Sequence, residues 1–116
     1  MKVLVCGGRD YRDSQRAFAV LDELHRQGEG NRITLLIEGG ANGADRLGRE
    51  WAEARNVPFH TVHADWAAHG RAAGPIRNAR MLTLRPDLVV AFPGGRGTAD
   101  MVRRSKAAGV RVLDVS

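Results

Sequence analysis

Three short apolar runs each stop at a pair of glycines: Val3–Cys6 at Gly7-Gly8, Ile33–Ile37 at Glu38-Gly39-Gly40, and Leu88–Phe92 at Pro93-Gly94-Gly95. A strand that is apolar at successive positions, not at alternate ones, is buried on both faces, as in a parallel sheet covered by helices. Helical periodicity fills the intervals. Ser14 to Arg26 spaces Phe18, Leu21, Leu24 and His25 along one face and is followed by Gly28; Gly43 to Arg55 carries Leu47, Trp51 and Ala54 on one face. Ile76 to Leu84 reads as a shorter helix stopped before Pro86, and Thr98 to Ala108 as one closed by Gly109. Phe59–His63 and Arg111–Val115 supply two further strands, the former polar enough to be an edge.

Strands alternating with helices over short connections imply right-handed βαβ units. The expected fold is therefore α/β, a Rossmann-like three-layer sandwich with a five-stranded, mainly parallel sheet. With the most apolar strands central, the strand order is 3-2-1-4-5, and the winding reverses between strands one and four. Ligands bind such sheets beyond the carboxyl ends of the strands at that reversal. The three glycine pairs are expected to meet there, around one crevice.

Composition narrows the partners. At 116 residues, 43% of them hydrophobic and 27% charged, the chain is read as one globular domain over 1–116. No apolar run approaches the ~20 residues of a membrane span, and the apolar run at Val3–Cys6 is short of a secretory signal. Cys6, the single cysteine, excludes an internal disulfide and reads as a small core residue; a reducing compartment, the cytoplasm, is the expected location. A net charge of +5 and a pI near 10.6 favour an anionic partner. Aromatic residues total 5%, little material for stacking along a single-stranded nucleic acid.

The loop Pro93-Gly94-Gly95-Arg96-Gly97-Thr98 is the sharpest motif. A glycine turn between a strand and a helix presents unpaired amides at the positive end of the helix dipole, where a phosphate is held. Thr98 offers a hydroxyl, or else caps the helix; Arg96 offers a charge at the rim. Glu38-Gly39-Gly40-Ala41-Asn42-Gly43-Ala44-Asp45 has the same design. There Asn42 and Asp45 resemble a helix cap with its acidic return partner. Asp45 is thus either structural or a ligand contact, and Glu38, expected to face the crevice, is a candidate for a ribose hydroxyl or a base. Gly7-Gly8-Arg9-Asp10 is shorter, with Arg9 either a phosphate clamp or plain surface. Neither a Walker loop nor a complete G-x-G-x-x-G is present.

His60 and His63 fall on opposite faces of a strand, and His63, Asp65 and His69 lack a convincing ligand spacing, so no metal is expected. No cofactor is implied either. Trp66, between strand and helix, reads as a buried aromatic plug in preference to a ligand stacker, since aromatics usually serve packing. Arg77 and Arg80 share a helical face above Met81 and are candidates for a phosphate clamp or for solvated surface.

With these motifs assembled, the chain resembles the SLOG superfamily, which joins the DNA-processing SMF/DprA proteins and the Lonely Guy phosphoribohydrolases. Within it the chain is most similar to the small YspA-type branch related to YpsA. The resemblance runs through Val5–Tyr11, Glu38–Asp45, Arg77–Met81 and Ala91–Thr98. It implies a nucleotide-like phosphorylated small molecule as partner, and by analogy a homodimer. Lonely Guy enzymes cleave the N-glycosidic bond of nucleoside monophosphates with a P-G-G-x-G-T-x-x-E pattern and an assisting arginine, to which Arg77 corresponds. Their glutamate position is Met101 here, with Asp100 one residue earlier, and Asn78 replaces the family lysine.

Three readings follow. In the first, Gly94, Gly95, Gly97 and Thr98, with Pro93 and Arg96 completing the loop, hold a phosphate in a sensor or accessory module. Gly7, Gly8, Gly39, Gly40 and Gly43 assist, Arg9 and Arg77 balance charge, and Glu38 or Asp45 selects ribose or base. In the second, a nucleotide N-glycosidase, Asp100 or Glu38 stabilises the developing oxocarbenium while Arg77 anchors the phosphate. The third, DprA-like binding of single-stranded DNA, draws on the high pI and is weakened by the scarcity of aromatics.

Overall fold

Leucine, isoleucine and valine dominate β1 (Lys2–Cys6), β2 (Leu35–Glu38) and β4 (Leu88–Ala91), and these strands form the centre of the sheet. The computed structural model describes residues 1–26 and 32–116. With β3 (Phe59–Thr61) and β5 (Arg111–Asp114), the sheet runs β3-β2-β1-β4-β5 with every neighbouring pair parallel. That is the expected order, with the reversal between β1 and β4.

Side chains alternating along the strands feed two cores. Val3, Val5, Leu36 and Val90 face α1 (Ser14–Arg26) and α2 (Ala44–Ala54), where they meet Ala17, Leu21, Leu47 and Trp51. After α3 (Trp66–His69) and one 3-10 turn (Gly70–Ala72), α4 (Ala73–Leu82) and α5 (Arg96–Ala107) cover the other face. There Leu4, Cys6, Ile37, Val89 and Ala91 meet Met81 and Met101. Each large side chain buried this way contributes about 1.5–3 kcal/mol, so the central strands carry much of the stability. Trp51 is wholly enclosed, its indole N–H donating to Asp22 at 2.9 Å.

Element boundaries depart from the sequence expectation for local reasons. β2 starts at Leu35, while Ile33 stays in the core and its amide donates to His25 Nδ1 at 3.1 Å. The helix expected over 76–84 begins at Ala73, because Pro75 occupies its first turn, where a missing N–H is harmless. The helix expected from Thr98 begins at Arg96. Ala54 is exposed; the buried face of α2 is Ala44, Leu47, Gly48, Trp51 and Ala52. Gly28 lies outside the described residues.

Gly43 locks the loop before α2 onto the turn after β1. Its φ is 75°, and a Cβ there would fall on the carbonyl oxygens of Gly8 and Arg9. Gly109 has a similar φ of 77° but open space around a Cβ. Replacing each by alanine separates conformation from contact. Gly109→Ala is expected to cost about 1–2 kcal/mol for the left-handed backbone alone. Gly43→Ala should lose about 1–3 kcal/mol more from overpacking, read as a larger drop in the urea midpoint.

Candidate functional site

The reversal between β1 and β4 opens into a cleft of about 860 Å³. Its floor is apolar, made by Cys6, Met81 and Met101, and its walls are the turn after β1, the loop before α5, and the inner side of α4. The two turns touch without side chains between them. Gly8 N donates to the carbonyl of Pro93 at 2.8 Å. A Cβ on Gly94 would strike Thr98 Oγ1 and lie 2.6 Å from Gly8 N, and one on Gly7 would lie 2.5 Å from the Ala44 Cβ. Glycine is needed at Gly7 because the Cβ atoms of Ala44 and Phe92 fill the space where a side chain would go, and at Gly94 because the Thr98 hydroxyl and the backbone of Gly7 and Gly8 fill it.

The N-terminus of α5 faces this cleft. Gly95 is its N-cap and no side chain caps it, so the amides of Arg96, Gly97 and Thr98 line the cleft without intrahelical partners. They stand at the positive end of the helix dipole. Thr98 belongs to the first turn and is not the cap. A Cβ on Gly95 or Gly97 meets no atom within 4 Å, so their smallness preserves open space above the amides.

The loop after β2 is arranged differently, although its sequence has the same design. The amides of Gly39 and Ala41 both donate to Asp45 Oδ2 at 3.2 Å, and Gly40 N donates to Glu38 Oε1 at 2.7 Å. Two of the protein's own carboxylates thus occupy the position of an anion. Glu38 is fully buried; it also accepts from Arg49 Nη1 at 3.4 Å and from the Thr61 hydroxyl. It does not line the cleft, contrary to its expected placement. Nor is Asn42 a cap, since Gly43 holds that position with no side-chain hydrogen bond, and Gly43 lies outside the cleft. Gly39 and Gly40 border a smaller adjoining cleft of about 330 Å³ together with His63. Arg9, Ala41, Trp66 and Arg77 line both.

A hydrogen-bonded chain crosses α4 to connect these parts. Arg77 Nη1 donates to the Gly39 carbonyl at 2.9 Å, and its Nε to Asn78 Oδ1 at 3.1 Å. Asn78 Nδ2 then donates to the Gly97 carbonyl at 3.2 Å and to Asp100 Oδ2 at 3.0 Å. Sequence reasoning read Asn78 only as a replacement for a lysine; in the structure it buttresses the first turn of α5. Asp100 also accepts from Arg103 at 2.6 Å and from Arg104 at 2.8 Å. Burial pushes the Asp100 carboxyl up, but the hydrogen bonds from Asn78 and Arg104 and the charges of both arginines outweigh it and hold it low. Arg80, expected beside Arg77, is exposed and lies outside both clefts.

Cationic groups dominate the rim. Among the described residues, Arg9, Arg71, Arg77 and Arg96 line the cleft with no carboxylate in ion-pair reach, whereas Arg46, Arg49, Arg55, Arg103 and Arg104 each have one. Trp66 is 48% exposed, a departure from the buried plug expected, and the Arg9 guanidinium lies 5.5 Å from its ring centroid. Burial, reinforced by the charges of Asp45 and Asp114, pushes the Cys6 thiol up to about 12, which fits a core residue and not a nucleophile. No group of three or more His, Cys, Asp or Glu among the described residues is placed to hold a metal ion.

The family model of the YspA, cpYpsA-related SLOG family matches residues 1–69, more than half of the chain. The chain belongs to this SLOG family. Gene 61 protein of Mycobacterium phage D29 is 37% identical over 121 residues, covering 97% of this chain and 94% of that protein. Among solved structures, DNA processing protein A (DprA) from Streptococcus pneumoniae superposes with a TM-score of 0.75 over 99% of this chain at 16% identity; this chain spans 50% of that one. The structural-genomics target TM1055 superposes with a TM-score of 0.70 at 22% identity, over 96% of this chain and 71% of its own. These likenesses establish a shared fold. The matched residues 1–69 of the SLOG chain contain the first two glycine turns, while the loop before α5 lies beyond them.

In this SLOG domain Asp45 is the one cleft carboxyl raised toward neutrality, to about 6 from its ordinary 3.8, chiefly by burial and against the two backbone amides it accepts. The folded protein therefore binds a proton that the unfolded chain has released. Its stabilisation is complete below pH 3.8 and lost as pH rises through about 6. The difference in urea stability between wild type and Asp45→Asn should fall from pH 4 to pH 7, by on the order of 2–3 kcal/mol.

Proposed function

We propose that the cleft binds a nucleotide or nucleotide-derived ligand, as a sensor or accessory module, with a phosphate on the amides of Arg96, Gly97 and Thr98. The observation that carries this reading is the uncapped N-terminus of α5, opening on a cleft whose rim arginines have no carboxylate partners among the described residues. Hydrogen bonds to charged oxygens are worth about 1.5–3 kcal/mol each, and the helix dipole adds about 0.3–1 kcal/mol. The second glycine loop, its amides taken by Asp45 and Glu38, contributes shape to the site and no anion contact. Arg77 reaches the cleft with its position fixed by Gly39 and Asn78.

Hydrolysis of an N-glycosidic bond is supported less well. Its candidate carboxylates are engaged elsewhere: Asp100 accepts from three side chains, and Glu38 is sealed under α2. Met101, at the glutamate position of the Lonely Guy pattern, is 1% exposed in the apolar floor. Binding of single-stranded DNA draws on the fold shared with DprA and on the net charge of +5.

Gly97→Ala is the most direct test. A methyl there fits the fold and improves helix propensity, so the melting temperature should hold or rise, by up to about 1 kcal/mol in stability. Affinity for nucleoside monophosphates, measured by calorimetry, should nevertheless fall at least about tenfold. Unchanged affinity would remove the phosphate assignment. Chromatography after incubation with nucleotides should detect no free base; release abolished by Asp100→Ala would establish hydrolysis instead. A gel shift with single-stranded DNA should vanish at physiological salt, as bulk charge attraction does.

A further inference from the structure

The two tryptophans of this chain stand in opposite situations. Trp51 is fully enclosed and hydrogen-bonded, while Trp66 is the most exposed large apolar side chain among the described residues. Trp66 belongs to α3, a single turn none of whose residues is buried, so hydrophobic burial does not account for an indole there. The turn is nonetheless held in place, because the Asp65 carboxylate accepts from Ala68 N at 3.0 Å. Beneath the ring lies Gly74, where a Cβ would come within 3.5 Å of Trp66 Cη2. Trp66 borders both clefts and stands at their junction.

Arg9 covers part of the ring at 5.5 Å from its centroid. Among the described residues it has no carboxylate partner, and the preceding residue is bonded to Pro93 of the loop before α5. Its backbone is therefore one residue from the loop that presents the free amides. A guanidinium over an exposed ring is weakly held, and stacking of a base on an aromatic ring is the stronger contact.

We propose that Trp66 is the platform on which the base of the ligand stacks, displacing Arg9 from the ring and turning it toward the phosphate. The proposal rests on the reading of this cleft as a nucleotide site. Trp66 then supplies affinity that every base can use, since each has a π face. Arg9 couples the two halves of the ligand: the base releases it and the phosphate receives it.

Tryptophan fluorescence and calorimetry test this with the four ribonucleoside 5'-monophosphates and with ribose 5-phosphate, which has no base. Trp66→Phe leaves only the enclosed Trp51, so subtraction isolates the Trp66 emission. The nucleotides should quench that emission and ribose 5-phosphate should not. Trp66→Ala should raise the Kd of the nucleotides about tenfold and leave that of ribose 5-phosphate unchanged or lower, since Arg9 is then free of the ring, with Trp66→Phe restoring most of the affinity. Nucleotides that bind equally well to Trp66→Ala would overturn the platform while leaving the cleft a nucleotide site. An equal loss for ribose 5-phosphate would overturn it too, as a general effect on the site. If neither class of compound binds wild type, the nucleotide reading falls and this proposal with it.

Discussion

The amide of Gly8 meets the carbonyl of Pro93 at 2.8 Å, and the turns after β1 and β4 lie against each other with no side chain between them. That contact sets the geometry of the cleft. It fixes where the floor of Cys6, Met81 and Met101 stops and where the first turn of α5 begins. Gly43 extends the same contact to the start of α2, since the Ala44 amide donates to the Gly8 carbonyl at 3.1 Å. Three strand-to-helix connections are thus gathered onto one point of the chain. The glycines at Gly7, Gly43 and Gly94 leave room for that close approach, and Gly95 and Gly97 leave room for something else to approach.

Two loops of similar sequence consequently differ in electrostatic character. After β2, Asp45 and Glu38 lie within reach of the Gly39–Ala41 amides and neutralise them. After β4, Asp100 of α5 is engaged by Arg103, Arg104 and Asn78. A glycine turn ahead of a helix is open to an external anion only where no internal carboxylate satisfies its amides first. Asn78 ties the two together, its Nδ2 donating both to Asp100 and to the Gly97 carbonyl.

The strand order was legible because continuous apolar runs mark strands buried on both faces, and Val3–Cys6, Leu35–Ile37 and Leu88–Ala91 are such runs. The placement of Glu38 depended on parity. Leu36 points into the core under α1 and α2, and Ile37 into the core under α4 and α5. Two residues after Leu36, Glu38 returns to the α2 side, where Arg49 and its strand partner Thr61 meet it. The cleft floor belongs to the other face, so a count of two from Leu36 would have excluded Glu38. Trp66 was not legible in this way. It lies on a single turn with no periodicity to read, and its exposure depends on how α3 lies over Gly74.

The floor itself is a poor place for a charge. Burial, with the nearby charges of Asp45 and Asp114, drives the Cys6 thiol up to about 12, as expected where a negative charge is opposed. A carboxylate at the position of Met101 would meet the same opposition, with Met81 and Cys6 as neighbours in place of hydrogen-bond donors. Among the described residues, positive charge lies at the rim, on Arg9, Arg71, Arg77 and Arg96. The cleft is therefore divided along its depth, with arginines and free amides that suit an anion at the mouth and sulfur and methyl groups below. The ionisable side chains that share the cleft are each committed within the fold: the Cys6 thiol is raised by burial, Asp45 accepts from the Gly39 and Ala41 amides, and Asp100 is held low by Asn78 and two arginines.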